Sequence, residues 1–325
     1  EGVSKLAKRQ ALIEAMKGIP EDEVANLIYK WEFWARDNQL PPTGFWTYWL
    51  LLAGRGFGKT RTGAEWVNKC VELGLSKRIA LVAPTAADVR KVMVEGESGI
   101  LAKAPPWNRP HFEPSKLQLT WPNGAIAQMF SAEEPERLRG PQCDTFWADE
   151  LCAWKNMQET WDMLMFGFRL GKNPQGCITT TPKPVPLLKE IMKGAVEHGG
   201  DGSTEIVRGS TYDNRGNLAE PFFKKVVSKY EGTRLGRQEL EAAILEDMPG
   251  ALWNRADIDR VRIPHNALPI GTPIPGTVTG EGPSTLARGI REPVRYTCLV
   301  YISVVTWSEK LLSPAAAFSG RAVHP

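Results

Sequence analysis

The chain is poor in the features that mark disulfide-bonded, metal-cluster or membrane proteins. Its five cysteines, Cys70, Cys143, Cys152, Cys177 and Cys298, are odd in number and lack paired metal-ligand spacing, so they read as reduced thiols. No apolar run has the length of a membrane span, and the charged start EGVSKLAKRQ has no signal-peptide core, which predicts a cytoplasmic protein with no membrane partner. Charge of one sign is scarce as well: a net +3 over 325 residues permits a polyanionic partner without demanding one. Aspartate is absent from Pro264 to Pro325, where the glutamates are Glu281, Glu292 and Glu309. A cluster of carboxylates holding metal ions cannot be built there. What is present is 42% hydrophobic residues, enough for the core of one large domain or two ordinary ones.

The most informative segment is Leu50 to Thr60, LLLAGRGFGKT. It joins a buried apolar run to a glycine-rich turn ending in Gly-Lys-Thr. In a phosphate-binding loop of this kind the backbone N–H groups surround a polyphosphate, the lysine reaches the outer phosphates and the hydroxyl holds magnesium. The loop comprises Ala53, Gly54, Arg55, Gly56, Phe57, Gly58, Lys59 and Thr60. Ala53 replaces the usual first glycine of G-x-x-x-x-G-K-[ST]. An accidental glycine-rich turn is the bland alternative, but the flanks suit the motif. Tyr48 to Ala53 reads as a parallel strand, and Ala64, Val67, Cys70 and Val71 recur at helical spacing before Gly74.

Elsewhere, Val24, Leu27, Ile28, Trp31 and Trp34 follow a Pro-acidic helix start and predict a helix packed on the core. Strands are expected at Arg78 to Val82, Thr145 to Ala148 and Ile178 to Thr180, with a loop and helix over Pro84 to Val94. A hairpin is expected from Leu117 to Trp121 and Ile126 to Phe130 around Asn123-Gly124. Alternating strands and helices imply an α/β fold with a mostly parallel sheet covered on both faces. Two helical patterns between Leu218 and Asp247 suggest a lid or linker subdomain.

A phosphate loop needs an acidic partner for magnesium, and DTFWADELCAW, Asp144 to Trp154, supplies one. Asp149 and Glu150 stand at the carboxyl end of a strand, where open α/β sheets place their ligands. Asp149 would bind magnesium; Glu150 would orient and activate the attacking water. Thr179, Thr180 and Thr181, at the tip of a further strand, could hydrogen-bond the γ-phosphate or that water and move when the phosphate leaves.

The segments AGRGFGKTRTGAEWV, RLRGPQCDTFWADELCAW and ITTTPKP, in this order, together with the stretch from Thr211 to Trp253, resemble the large terminase subunits of tailed bacteriophages over residues 30 to 262. The resemblance implies an additional-strand, RecA-like P-loop ATPase domain that binds ATP and Mg2+. It further implies a ring of copies on the portal protein of a procapsid, in the host bacterial cytoplasm, that pumps double-stranded DNA and works with a small terminase subunit. Residue by residue, Lys59 and Thr60 match the phosphate and magnesium positions, Arg55 a γ-phosphate sensor, and Gln39 a glutamine that reads adenine. Asp149 and Glu150 match the magnesium and catalytic carboxylates, and Thr179 to Thr181 the coupling motif. Arg137 or Arg139, with Arg139 preferred, is the candidate arginine finger acting on a neighbouring copy.

The expected organisation is a helical segment at 1–45, the ATPase core at 46–210, a lid or linker at 211–262 and an atypical tail at 263–325. The family continues into a nuclease that needs clustered carboxylates, so nuclease activity is not expected from this tail. The tail reads either as a frame alteration or truncation near residue 265, or as a small accessory domain. Two other function classes stay open: another P-loop nucleic-acid ATPase such as a helicase, and a non-catalytic assembly subunit.

Overall fold

In the computed structural model, which describes Pro20 and residues 26–245, strand β1 (Tyr48–Ala53) is buried at every position after Tyr48. A strand with no wet face belongs inside a parallel sheet. The sheet has eight strands in the order β3-β4-β5-β2-β6-β7-β1-β8. The remaining strands are β2 (Arg78–Ala83), β3 (His111–Glu113), β4 (Gln118–Thr120), β5 (Ile126–Ser131), β6 (Thr145–Asp149), β7 (Gln175–Thr180) and β8 (Thr204–Gly209). Pairings from β5 to β8 are parallel, while β3 and β4 extend the sheet antiparallel at one edge.

Strand β7 lies between β1, which feeds the glycine-rich loop, and β6, which ends in the acidic pair. That inserted strand makes this an additional-strand, RecA-like sheet. Alternation along the strands sends side chains to two cores. On one face Trp49, Leu81 and Trp147 meet Ala64, Val67, Cys70 and Val71 of helix α1 (Lys59–Glu72). On the other, Leu50, Leu52, Val82 and Phe146 meet Trp161 and Leu164 of α2 (Met157–Gly167), and Leu187, Leu188 and Ile191 of α3 (Pro186–Met192).

The expected strands, the hairpin and the helix after the loop are all present. Strands β3 and β8 lie outside the expected set, because His111–Glu113 is short and the run Thr204–Gly209 carries Glu205 and Arg208 among its apolar residues. The aromatic stripe before the loop is corrected: Trp31 is buried, but Ile28 and Trp34 are exposed. Lys30 adopts an extended conformation and separates the helical residues Asn26 and Leu27 from Trp31–Trp34, so among the described residues the spacing does not stay on one face. Of the two helical patterns expected between Leu218 and Asp247, the described residues carry a helical run from Glu220 to Tyr230 and α4 (Arg234–Glu241), preceded by a helical turn at Thr211–Asn217. Readings placed on residues 1–19, 21–25 and 246–325, including the tail, lie outside the described residues.

Candidate functional site

The loop leaves β1 and turns into α1 through two glycines with left-handed backbone, Gly56 at φ 74° and Gly58 at φ 106°. Side chains other than glycine rarely adopt such angles. Gly58 is the N-cap of α1, a helix of 14 residues, so unpaired N–H groups and the positive end of the helix dipole face the loop's hollow. Such a backbone arrangement suits an anion.

Lys59 is buried, at 8% exposure. Its Nζ donates to Ala53 O at 2.9 Å and to Thr181 Oγ1 at 2.9 Å, and lies 3.2 Å from Glu150 Oε1. The ammonium group therefore joins the ends of β1, β7 and β6. Thr60 is the second residue of α1.

Asp149, buried at the last position of β6, accepts a 2.6 Å hydrogen bond from Thr179 Oγ1. Trp147 Nε1 donates to the same Thr179 oxygen at 2.9 Å. An indole N–H can only donate, so it occupies an acceptor site of the hydroxyl and leaves the proton aimed at Asp149. Burial pushes the Asp149 carboxyl up to about 7; neighbouring Glu150 adds to this, while the Thr179 hydrogen bond and Lys59 oppose it.

Glu150 has φ 47°, a left-handed conformation that carries a strain of order 1–2 kcal/mol for a residue with a side chain. Its Oε2 accepts the Thr181 N–H at 3.1 Å. Thr180 Oγ1 accepts from Cys152 N at 3.0 Å. The three threonines thus divide their bonds among Asp149, the turn after Glu150, and the Lys59–Glu150 pair.

The other sequence candidates fall in three places. Gln39 is buried beside the loop, donating from Nε2 to Thr62 Oγ1 at 3.1 Å, and a Cβ at Gly58 would lie 2.9 Å from that same nitrogen. Arg55 reaches α4, where its Nε meets Glu239 Oε2 at 2.7 Å. Arg137 and Arg139 are exposed and pair with Glu134 and Glu136 at 3.3 and 3.4 Å. Neither arginine bonds to the loop or to the acidic pair within the chain.

A family model described as terminase large subunit, T4likevirus-type, N-terminal, matches residues 50–260. The chain belongs to the large terminase subunit family. Among solved structures, the ADP complex of the large terminase from a thermophilic bacteriophage superposes with TM-score 0.51 at 13% identity, covering 67% of this chain and 52% of that one. The ATPase domain of the Thermus phage P74-26 large terminase matches at TM-score 0.48 and 16% identity over 66% of this chain and 97% of that chain. The HK97 bacteriophage large terminase matches at TM-score 0.43 and 16% identity, over 64% of this chain and 48% of that one. The chain thus spans about half the length of the ADP-bound terminase and of the HK97 terminase. A sequence search of curated proteins finds no match. At 13% identity the likeness to the ADP-bound large terminase shows the fold alone.

Sequence reasoning passed over the residues that hold this terminase site in shape. Trp147 read only as part of a hydrophobic strand, although its place two residues before Asp149 puts both on one face of β6. Arg36, Thr211, Asn214 and Glu239, which grip the loop from outside, bear no fixed spacing to it.

Proposed function

We propose that this chain is the ATPase of a DNA-packaging motor, hydrolysing ATP at the 53–60 loop and using the energy to drive double-stranded DNA into a procapsid. The observation that carries the reading is Lys59. One ammonium group at the end of a glycine loop touches both the threonine strand and the acidic pair, the three parts that phosphoryl transfer requires. Family membership and the ATPase-domain fold support it.

On this reading the N–H groups of the loop and of the first turn of α1 receive the phosphates, and Lys59 turns from Ala53 O and Thr181 toward the outer phosphate oxygens. Gln39, beside Gly58, would contact the adenine. The hard oxygen donors Thr60 and Asp149 fit magnesium, a cation that takes one or two protein ligands beside phosphate oxygens. The burial of Asp149 with a raised pKa suits a carboxylate meant to face a cation. Magnesium, when bound, supplies charge neutralisation on the phosphates. Glu150 orients a water molecule and accepts its proton as the water oxygen bonds to the γ-phosphorus. The bond from that phosphorus to the β,γ-bridging oxygen breaks, giving ADP and phosphate. Thr179 to Thr181 then rearrange as the phosphate departs, and the change passes to segment 211–245 and the DNA. DNA would be held through its phosphates without base readout.

A ring of copies on the portal, a small-subunit partner and action in the host cytoplasm complete the proposal. Among the described residues no helix is long and apolar enough to cross a membrane.

The test uses the full chain with MgATP. Glu150→Gln should bind MgATP with near-normal affinity yet hydrolyse it at least about 100-fold more slowly, the scale of a lost general base. Wild-type turnover in Glu150→Gln would reject the assignment, and a Glu150→Gln variant that no longer binds would reject its purely chemical role.

A further inference from the structure

Three consecutive carbonyls of the loop are each held from behind by a side chain from elsewhere in the chain. Thr211 Oγ1 donates to Arg55 O at 2.6 Å, Asn214 Nδ2 to Gly56 O at 2.6 Å, and Arg36 Nη2 to Phe57 O at 2.6 Å. In a trans peptide the carbonyl of one residue and the N–H of the next point in opposite directions. Fixing these carbonyls outward therefore aims the N–H groups of Gly56, Phe57 and Gly58 into the hollow. Of these, the Phe57 N–H makes a long 3.4 Å contact with Gly54 O, which a phosphate oxygen can replace.

The holders are themselves held. Asn214 Oδ1 accepts from Arg36 Nη1 at 2.9 Å and from Asn217 Nδ2 at 2.9 Å. Its oxygen is thereby assigned and its amide nitrogen left to face Gly56. The Arg36 guanidinium lies 4.6 Å over the Phe57 ring. The turn that carries Thr211 and Asn214 is closed by a reciprocal Ser210–Asp213 capping box, and Asn38 Nδ2 reaches Asp213 Oδ2 at 3.2 Å. Thr211 is fully buried.

We propose that Arg36, Thr211 and Asn214 are positioning residues that pre-form the phosphate cradle, so that polyphosphate meets amides already oriented. The inference rests on the reading of the loop as a nucleotide site and adds to it residues that touch no nucleotide. Pre-organised donors raise affinity because ordering them is not charged to binding. It also gives segment 211–217 direct purchase on the loop, since a shift of that turn moves two of the three holders.

The experiment measures binding of MgATP and of magnesium tripolyphosphate to the full chain, for Lys59→Ala, Thr211→Val, Thr211→Ser and Asn214→Leu. Thr211→Val keeps shape and removes the donor; Thr211→Ser restores it. Asn214 is only half-buried, so Asn214→Leu puts less of the fold at risk. Each lost holder should weaken both probes about threefold to tenfold, the net worth of one hydrogen bond. The factor should be equal for the two, because the loop amides touch phosphate alone, and Thr211→Ser should recover the affinity. Wild-type affinity in both Thr211→Val and Asn214→Leu, or Thr211→Ser no better than Thr211→Val, overturns the proposal. Loss of binding in Lys59→Ala alongside those results would leave the nucleotide site standing and remove only the cradle. Undiminished binding in Lys59→Ala would remove the site and the cradle with it.

Discussion

Gly63 should not tolerate alanine, although alanine is the better helix former. It is the fifth residue of α1, and a Cβ there would lie 2.1 Å from Trp147 Cε2 and 2.5 Å from Cζ2 and Nε1. The indole is fully buried and its Nε1 is bound to Thr179, so the ring cannot swing aside without losing that bond. Helix propensity favours Gly63→Ala by about 1 kcal/mol. Overpacking of a rigid core costs about 1–3 kcal/mol, and a contact this short belongs at the top of the range. The net loss is about 2 kcal/mol, or about 4–8 °C in Tm for a domain of this size. Displacing Trp147 also releases the Thr179 hydroxyl from its fixed orientation toward Asp149, so on the proposed reading the magnesium concentration for half-maximal ATPase should rise. Thermal unfolding of Gly63→Ala, Trp147→Phe and the double variant checks the cause. The smaller ring makes room for the methyl, so the Gly63→Ala penalty should shrink by about 1 kcal/mol in the Trp147→Phe background. A raised Tm in Gly63→Ala, or an equal penalty in both backgrounds, would refute the steric argument.

Burial holds the Cys70 and Cys143 thiols up to about 12 and Cys177 well above its ordinary value. Iodoacetamide at pH 8 should therefore leave all three unmodified in the native chain, as mapped by mass spectrometry. Rapid native labelling of Cys177 would contradict its burial. The unfolded chain ionises these thiols near 9 while the native chain keeps them protonated, so the unfolded state binds fewer protons there. Stability should fall as pH rises from about 9 toward 12, by up to about 1.4 kcal/mol per pH unit for each thiol. Cys70→Ala and Cys143→Ala should each reduce that slope in denaturant titrations. For the proposed action between copies, Arg139→Ala or Arg137→Ala should lower ATPase at the assembled portal about 1000-fold or more, while MgATP binding to the single chain persists. Full turnover in both variants would leave neither arginine a trans role.

The sheet and the loop were legible in the sequence because both follow from local rules. YWLLLA before a glycine-rich turn suits a buried strand, Gly56 and Gly58 mark a left-handed turn, and Lys59 opens an amphipathic helix. The positions of Asp149 and Glu150 were legible because they stand at the end of a strand, and the pairing of Asp149 with Thr179 across β6 and β7 puts the threonine tip beside them, as expected. The holders of the loop were not legible. Any donor of suitable reach can bond a carbonyl, and here a threonine, an asparagine and an arginine do so, from sites up to 178 residues apart that still meet, as Arg36 and Asn214 do. The stripe ending at Trp34 failed for a related reason: periodicity reports a helix only while the backbone continues, and one extended residue at Lys30 ends it.

On the proposed reading, the charge arrangement around Lys59 lets occupancy of the loop reach the threonine strand. The ammonium group donates to Ala53 O and Thr181 Oγ1 and is balanced by Glu150. A buried cation cannot lose these partners without others replacing them. A polyphosphate that draws Lys59 away supplies the replacement for the lysine, yet frees Thr181 and Glu150 together. The Thr181 N–H bonds to Glu150 Oε2, a link between the two residues that does not pass through the lysine. On the proposed reading, the carboxylate of Glu150 is then available to water while the phosphate is bound, and the tip of β7 has lost its tie to the lysine and rearranges as the phosphate departs. On the proposed reading, one side chain therefore ties activation of the catalytic carboxylate to release of the strand that must transmit the stroke.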